Sequence, residues 1–300
     1  MAQPVAGATV SPNPQVCVVE DYGAKGDNAT NNTAAIQAAI DHCGDRIEGG
    51  TVIIGSIGRG MHVGDGGGSI YLSNPIWLRS NMTLRIEDGA TLRAFPAGGS
   101  AADEPLDWPW VYTKRESSMK WAWSGFLNGA RCLAMKDPLV GWDDCEKWGK
   151  LENVVLEGGG MIDGNGDNWI ASDQGNLRPT LLDLLWIDGL TLDNLYLRRP
   201  GFWTTLLAFC NNVRMIHMDI LTAGSNTDGV DPDSTWNVYI ANNTISSGDD
   251  CVAIKAGRDW SGRMVNISTR NVLIEHNEFQ AGHGVSSKLI NHCNNRMRDN

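Results

Sequence analysis

Three aspartates lie in two Gly-containing turns, Asp228 in NTDGVDP and Asp249 with Asp250 in SGDDCVAIK. Hydrolysis of a stable acetal, such as a glycosidic bond, needs a carboxylic acid that protonates the leaving oxygen and a carboxylate that activates water. Clustered aspartates suit that reaction. Because Asp-Gly pairs also make ordinary turns, the case for chemistry depends on whether the fold brings these carboxyl groups together.

Short β-rich runs repeat along the chain at a nearly constant spacing. Asn212 precedes Asn237 by 25 residues, Asn237 precedes Asn271 by 34, and a similar run after Gly189 begins about 23 residues before Asn212. A period in the low twenties predicts a solenoid whose coils add strands to parallel sheets. The longer step is one coil plus a loop, GRDWSGRMVN. A sandwich of antiparallel strands is the alternative, and a Rossmann-type alternation is disfavoured because long helices are absent after residue 43.

The acids are spaced by one such coil. Asp228 precedes Asp249 by 21 residues and Asp250 by 22, which places them on neighbouring rungs about 4.8 Å apart. Mutual repulsion and partial burial would raise the pKa of at least one of these carboxyl groups and keep it protonated. His283 follows Asp250 by 33 residues, one coil plus the loop, and is expected on the same surface.

Other polar residues are interpreted as structural. Side-chain amides one coil apart can form hydrogen-bonded ladders, which we predict for Asn194, Asn212, Asn237 and Asn243. Asp231 and Asp233 are either substrate subsite residues or turn formers, and we favour turn formation.

The N-terminal part contains a predicted amphipathic helix. Asn32 is a candidate cap for a helix over Thr33–Cys43, whose apolar face comprises Ile36, Ala39, Ile40 and Cys43. A solenoid exposes its core and strand edges at both ends, so this helix is expected to cover the N-terminal end.

A segment from about Asp103 to Lys150 interrupts the repeat and holds six of the 12 tryptophans. Exposed aromatic rings can stack on sugars. The alternative, which we favour, is that these rings pin the segment to the solenoid wall. Cys132 and Cys145 would staple it in an oxidising compartment.

Composition excludes several classes of function. A net charge of −11 argues against non-specific nucleic-acid binding, and no apolar run reaches the roughly 18 residues of a membrane span. The start of the sequence shows no signal peptide. Seven cysteines without CxxC spacing make a zinc site unlikely and leave at least one thiol unpaired. Five N-x-S/T sequons give weak support for an extracellular destination.

The motifs NTDGVDP, GDDCVAIKAG and GHG, in that order, resemble the polygalacturonase family of glycoside hydrolases. The entry VVEDYGAKGD and the helix AAIQAAIDHC resemble that family's N-terminal cap, so the resemblance covers roughly residues 17–285. It implies an all-β, right-handed parallel β-helix of the pectin-lyase type with an N-terminal capping helix. The implied reaction is inverting hydrolysis of α-1,4-galacturonosyl linkages in pectin, without metal or cofactor, by an extracellular or cell-wall monomer.

The resemblance also implies residue roles. Asp249 matches the general acid, Asp228 and Asp250 match the pair that activates water, and His283 matches a supporting histidine. Lys255 and Arg258 are assigned to substrate binding, because they supply positive field near the acids. The insertion GRDWSGR resembles that of exo-acting members.

After His283 the sequence departs from the family pattern. No Arg-x-Lys pair follows, and the last 15 residues, SSKLINHCNNRMRDN, lack a β-run. We therefore expect a leader over 1–16, a β-helix domain over 17–285 and an aberrant tail over 286–300, with Cys293 as the odd thiol. The expectation is a chain truncated before its C-terminal coils, of poor stability and little activity.

Two other functions are compatible with clustered aspartates on a β-helix. One is a calcium-dependent pectate lyase, which needs several oxygen ligands for the ion and a strong base. The other is a non-catalytic pectin-binding protein. Chelator sensitivity and an unsaturated product would indicate the first, and binding without turnover would indicate the second.

Overall fold

A computed structural model of the chain describes residues 14–55, 68–95, 108–129, 149–171 and 175–288. Within these ranges the strands form three parallel sheets, here called A, B and C, and one antiparallel hairpin. The first coil adds one strand each to sheets A and B and is followed by a helix; each later coil adds one strand to A, then one to B, then one to C. The result is the predicted right-handed parallel β-helix.

Sheet A contains β1 (Gln15–Val18), β3 (Gly50–Ile54), β6 (Met82–Ile86), β11 (Leu151–Gly158), β14 (Ile187–Asp193), β17 (Asn211–Ile216), β20 (Trp236–Ala241) and β23 (Arg270–Glu275). Sheet B contains β2 (Asp27–Asn31), β4 (Ser69–Ser73), β7 (Ala90–Ala94), β12 (Met161–Asp163), β15 (Tyr196–Arg198), β18 (Asp219–Leu221), β21 (Thr244–Ser246) and β24 (Glu278–Ala281). Sheet C contains β5 (Ile76–Trp77), β10 (Leu127–Asn128), β13 (Leu182–Leu185), β16 (Thr205–Ala208), β19 (Val230–Asp233), β22 (Val252–Lys255) and β25 (Val285–Lys288).

The remaining elements are few. β8 (Trp110–Arg115) and β9 (Ser118–Trp123) form the hairpin. The helices are α1 (Thr33–Cys43), α2 (Asp167–Ile170) and α3 (Asp259–Val265), with short 3-10 turns at Val19–Tyr22 and Gly175–Leu177. No helix in the described ranges is long and apolar enough to span a membrane.

The strand register confirms the period predicted from the sequence. Along sheet A, Asp188 pairs with Asn211, Asn211 with Trp236 and Trp236 with Arg270, which are steps of 23, 25 and 34 residues. The extra residues of the long step form α3, which lies between β22 and β23. The core is the interior of the coil, filled by alternating buried residues such as Val213, Met215 and Val238.

The repeated Asn-Val pairs have a conformational cause. Asn212, Asn237 and Asn271 all have left-handed backbone, with φ of 54°, 56° and 54°, and each precedes a Val in sheet A. Asparagine tolerates this conformation better than most residues. The predicted ladder is present at Asn237, which donates to Asn211 Oδ1 at 2.8 Å and accepts from Asn271 Nδ2 at 3.0 Å.

The other asparagines predicted in ladders differ in their partners. The Nδ2 of Asn243 donates to Asn277 Oδ1, on the next coil, at 2.8 Å, as the ladder prediction requires. Asn212 instead donates to Asp188 Oδ1 at 2.8 Å, and Asn194 donates to the carbonyl of Gly158 at 2.5 Å. These two bonds also join neighbouring coils.

Helix α1 begins and ends where the sequence predicts, and all four residues of its predicted apolar face have 0% exposure. The capping prediction was wrong in one respect. Asn32 occupies the cap position without a side-chain cap bond, because its Oδ1 accepts the N–H of Lys25 at 2.7 Å. Asn31 Oδ1 instead accepts the N–H of Thr33 at 3.0 Å. A disulfide, which the sequence did not predict, joins Cys17 in β1 to Cys43 at the end of α1.

Part of the Trp-rich segment belongs to the β-helix itself. Its residues Leu127–Asn128 form β10, which pairs with β5 and β13 in sheet C. Trp108 is 6% exposed and packs on Phe126 and Trp169, as the predicted pinning role requires. Trp110 is 43% exposed. The predicted Cys132–Cys145 staple lies outside the described residues.

The helical coil continues past the boundary expected at residue 285. Val285–Lys288 form β25, which pairs in register with Val252–Lys255 of β22. The strand sequence VSSK has no apolar run, so the lack of such a run did not mark the end of the coil. Residues 1–13 of the expected leader, residues 289–300 of the expected tail and Cys293 lie outside the described residues.

A glycine substitution tests how closely the coils approach. Gly158 has φ +142°, and a Cβ there would lie 1.8 Å from the Ile86 carbonyl oxygen. Gly158→Ala is expected to destabilise the protein by several kcal/mol, because both the conformation and the contact exclude a side chain. Gly175 also has positive φ, +54°, but open space around it, so Gly175→Ala should cost only about 1 kcal/mol. Chemical denaturation measures both, and equal losses would contradict the close approach.

Candidate functional site

The predicted acids and the histidine lie at one corner of the β-helix, where the chain passes from sheet B to sheet C. We call it the B–C corner and define it as residues 222–229, 247–251 and 282–284, on three successive coils. Val230 pairs with Val252 and Val252 pairs with Val285. Asp228, Asp250 and His283, each two residues before its valine, therefore stack in register.

Backbone hydrogen bonds hold this stack. The N–H of Gly229 donates to the Asp250 carbonyl at 2.9 Å, and the N–H of His283 donates to the Asp249 carbonyl at 2.9 Å. The predicted convergence of Asp228, Asp249, Asp250 and His283 at one corner thus agrees with the structure. Their catalytic roles remain predictions.

The imidazole of His283 lies between two carboxylates. Its Nδ1 is 3.3 Å from Asp249 Oδ1 and 3.5 Å from Asp250 Oδ1. The side chains differ in exposure: 72% for His283, 25% for Asp249 and 6% for Asp250. Ser286 Oγ donates to Asp250 Oδ2 at 2.7 Å. One acid is therefore open to solvent beside the imidazole, and the other is recessed and held by a hydroxyl.

Asp228 is more deeply placed, at 1% exposure. Lys255 Nζ donates to its Oδ2 at 2.9 Å and also bonds Asp231 Oδ1. The same Nζ lies 3.5 Å from the centre of the Trp203 ring. Burial lowers the pKa of Lys255, but the charges of Asp231 and Asp228 outweigh that effect, so its net pKa is raised.

The structure contradicts the surface role assigned to Lys255. At 2% exposure, with its ammonium bonded to two carboxylates, it cannot contact a polymer at the surface. Arg258 is placed as a substrate-binding residue should be, with 57% side-chain exposure, although it pairs with Glu116 at 3.2 Å. The sequence identified both cations, but it could not show which of them is buried.

The turn-forming role favoured for Asp231 and Asp233 was wrong. Both lie in strand β19 and have 0% exposure. In Val-Asp-Pro-Asp the aspartates alternate with apolar residues, which is the period of a strand, and this pattern would have identified them. Asp231 bonds Lys255, and Asp233 accepts from Lys114 Nζ at 2.6 Å.

The hairpin β8–β9 covers the outer face of sheet C. Besides Lys114, it contributes Arg115, whose Nη1 donates to Asp183 Oδ2 at 3.1 Å. These four ionic side chains are at most 1% exposed. The hairpin also contacts α3, because the N–H of Met119 donates to Ser261 Oγ at 3.0 Å. Sequence reasoning missed this docking, since its partners are 68 and 119 residues apart.

The corner offers few ligands for a metal ion. One ligand atom each from Asp249, Asp250 and His283 lie within 4.8 Å of one another. Calcium takes about 6–8 oxygen ligands, more than this group supplies. The imidazole between two carboxylates is instead placed to donate a proton to them or to accept one from them.

Comparison with known proteins gives a consistent family relationship. The profile described as glycosyl hydrolases family 28 matches residues 141–294, just over half of the 300-residue chain. A second profile, rhamnogalacturonase A/epimerase, pectate lyase-like, matches residues 16–56. The chain is similar to an endo-polygalacturonase of Pectobacterium carotovorum subsp. carotovorum, with 29% identity over 276 residues, 87% of this chain and 59% of the relative. It also matches an exo-poly-alpha-D-galacturonosidase of Dickeya chrysanthemi, with 25% identity, 92% of this chain and 48% of the relative.

Solved structures agree on the fold. The family 28 exopolygalacturonase of Yersinia enterocolitica superposes with a TM-score of 0.72 at 23% identity, covering 92% of this chain and 50% of that one. The hyperthermoactive exopolygalacturonase of Thermotoga maritima also gives 0.72, at 22% identity, with 92% and 64% coverage. The chain spans about half to three-fifths of the length of the curated relatives it matches. With the fold, the ordered motifs and a profile match over half its length, the chain belongs to glycosyl hydrolases family 28.

Proposed function

We propose that the protein hydrolyses α-1,4-galacturonosyl linkages of pectin by an inverting acid/base mechanism. The observation that carries this proposal is the B–C corner, where three acids and a histidine converge from three successive coils. Hydrolysis of an acetal needs an acid and a base on opposite sides of the bond. The family relationship and the polygalacturonase names of the relatives support the substrate.

In the proposed mechanism, Asp249 is the general acid. Its side chain is the most exposed of the three, at 25%, so it can meet the leaving oxygen at the surface. His283, 3.3 Å away, would help to hold and replenish its proton. A general acid with this geometry contributes about 10²–10⁴-fold to the rate.

Asp250 and Asp228 are the proposed pair that activates water. They lie deeper than Asp249, with side-chain exposures of 6% and 1%, so the water would attack from the floor of the corner. Inverting enzymes separate acid and base by about 6.5–9.5 Å to fit that water. Of the two, Asp228 lies on the adjacent coil, whereas a carboxyl oxygen of Asp250 lies within 4.8 Å of one of Asp249, so Asp228 is the better placed to leave room for the water.

The proposed setting is extracellular. The disulfide between Cys17 and Cys43 is typical of an oxidising compartment. A pectic chain carries one carboxylate per uronate unit, and the exposed Arg258 is a proposed contact for it, 57% exposed near the hairpin. We further propose that the protein acts as a monomer, without nucleic acid, membrane or cofactor.

The product's stereochemistry tests the mechanism. Purified protein is incubated with oligogalacturonate, and proton NMR follows the first anomer released while a reducing-end assay counts cleavage. We expect the inverted anomer, unchanged turnover with a chelator, and no ultraviolet absorption from an unsaturated sugar. Retained configuration would contradict the mechanism. A chelator-sensitive, absorbing product would indicate a lyase, and binding without turnover would indicate a binding protein.

A further inference from the structure

A cluster of three ionisable side chains lies beneath the B–C corner. Lys255 donates to Asp228 and Asp231, and all three residues are at most 2% exposed. The ring of Trp203 lies 3.5 Å from the Lys255 nitrogen, so the ammonium is confined between an aromatic face and two carboxyl groups. Of the three residues, the mechanism proposed above uses only Asp228.

Two carboxyl oxygens of this cluster have no hydrogen-bond donor. They are Asp228 Oδ1 and Asp231 Oδ2, both inaccessible to solvent. Ionised carboxylates accept hydrogen bonds and cannot donate them, and a buried acceptor without a donor costs about 1–3 kcal/mol. The two carboxyl groups are neighbours, because Lys255 Nζ bonds Asp228 Oδ2 and Asp231 Oδ1 at the same time. A single proton held between them would supply the missing donor to both.

The charges around the cluster also favour one proton held between Asp228 and Asp231. In the described part of the chain, the other cations on the outer face of sheet C are committed, Lys114 to Asp233 and Arg115 to Asp183. Lys255 therefore faces two carboxyl groups with one positive charge. The next coil contributes two further carboxyl groups, Asp249 and Asp250, to the same corner.

Burial also favours the protonated form of Asp231. It raises the pKa of Asp231 well above its ordinary value; the Lys255 charge opposes this, and the Asp228 charge adds to it. Removing charge from a buried carboxyl is the usual response to an uncompensated site. The neighbouring carboxyl, which holds the cation through its own Oδ2, can then remain ionised.

We propose that Asp228 and Asp231 share one proton, carried mainly by Asp231, and that Asp231 and Lys255 are positioning residues that present Asp228 as an ionised base. The claim that Asp228 acts as a base rests on the proposed function. The shared proton does not, because it follows from the orphaned oxygens and the single cation. Lys255 thus acts through Asp228 and does not touch the substrate.

Infrared spectroscopy tests the shared proton without any activity measurement. At pH 7 the protein should show the C=O band of a protonated carboxylic acid that is lost in Asp231→Asn. The band should also be lost in Asp228→Asn, because Lys255 then faces one carboxyl and stabilises its ionised form. A wild-type spectrum without such a band, or a band unchanged in both variants, would overturn the proposal.

Stability against pH gives a second readout. A carboxyl whose folded pKa is raised binds its proton more tightly in the native state, so the wild type should lose stability relative to Asp231→Asn as pH rises above 3.8, the ordinary value. Thermal unfolding from pH 4 to pH 8 measures this difference. A difference that is constant with pH would contradict the proposal.

Kinetics separate positioning from a purely structural role. An amide at 231 can donate to Asp228 and accept from Lys255, as a protonated carboxyl does, so Asp231→Asn should keep kcat within about 3-fold. Asp231→Leu keeps the branched shape but has neither donor nor acceptor, and it should lower kcat roughly 10-fold or more with KM unchanged. Equal, large losses in Asp231→Asn and Asp228→Asn would mean that Asp231 acts in its ionised form, against the proposal. Activity absent from the wild type, with the infrared band present, would refute the proposed function alone.

Discussion

Replacing Asp249 by Asn is expected to lower kcat on polygalacturonate by roughly 10²–10⁴-fold, the contribution of a positioned general acid. The amide keeps the size of the side chain but cannot give up a proton to the leaving oxygen. Because Asp249 is 25% exposed and its neighbour His283 is 72% exposed, the melting temperature should change little. The loss should fall on kcat and kcat/KM together, because the proton is transferred in the transition state.

A matched acid nearby provides the control. Asp259, at the start of α3, is 83% exposed and pairs only with the exposed Arg258 at 3.4 Å. Asp259→Asn makes the same chemical change at an exposed ion pair and should leave kcat within about 2-fold. Activity of Asp249→Asn within 10-fold of wild type would remove Asp249 from the role of general acid. Substrates with good leaving groups offer a further check, because they should be cleaved with a much smaller loss.

Replacing Lys114 by Ala is expected to lower the free energy of unfolding by about 3–5 kcal/mol. Lys114 and Asp233 are 1% and 0% exposed, with Nζ 2.6 Å from Oδ1. Removing the lysine leaves a buried carboxylate without its cation and also takes a donor from Ser234 Oγ, 2.8 Å from Nζ. The hairpin β8–β9 would lose one of its anchors on sheet C. Urea denaturation measures the loss.

Two comparison variants test whether the broken buried ion pair causes the loss of stability in Lys114→Ala. Arg85→Ala breaks an ion pair with Glu157 in which the side chains are 45% and 29% exposed, and should cost less than about 1 kcal/mol. The double variant Lys114→Met with Asp233→Leu removes both charges and should recover most of the stability. A loss in Lys114→Ala no greater than that in Arg85→Ala would mean that solvent reaches the pair.

The coil period and the stacked corner could be predicted from the sequence because they are properties of a repeat. Left-handed asparagines recur before core valines, since the same turn is needed on each coil, and their spacing fixes which residues become neighbours. Asp228, Asp250 and His283 are separated by the register steps of sheet C. Their convergence therefore follows from spacing alone, without knowledge of any side-chain conformation. The helix α1 could also be predicted from local sequence, because its apolar residues recur at i, i+3 and i+4.

Contacts outside the repeat depended on tertiary structure. The hairpin reaches sheet C through Lys114 and Arg115, whose partners are distant in sequence and share no period with them. The hairpin supplies the buried partner of Asp233, and Lys255 of β22 supplies that of Asp231, so neither aspartate is the turn former that the sequence predicted.

Lys255 shows most clearly the difference between what residue spacing predicts and what tertiary packing adds. The sequence determined that a lysine follows the GDDC turn by a few residues, and hence that positive charge lies near the acids. Only the tertiary structure showed that the ammonium group is buried beneath the corner, where it bonds Asp228. Its partners are thus the protein's own carboxyl groups. Sequence spacing specifies which residues become neighbours across coils, whereas burial depends on what packs over them, which no local pattern encodes.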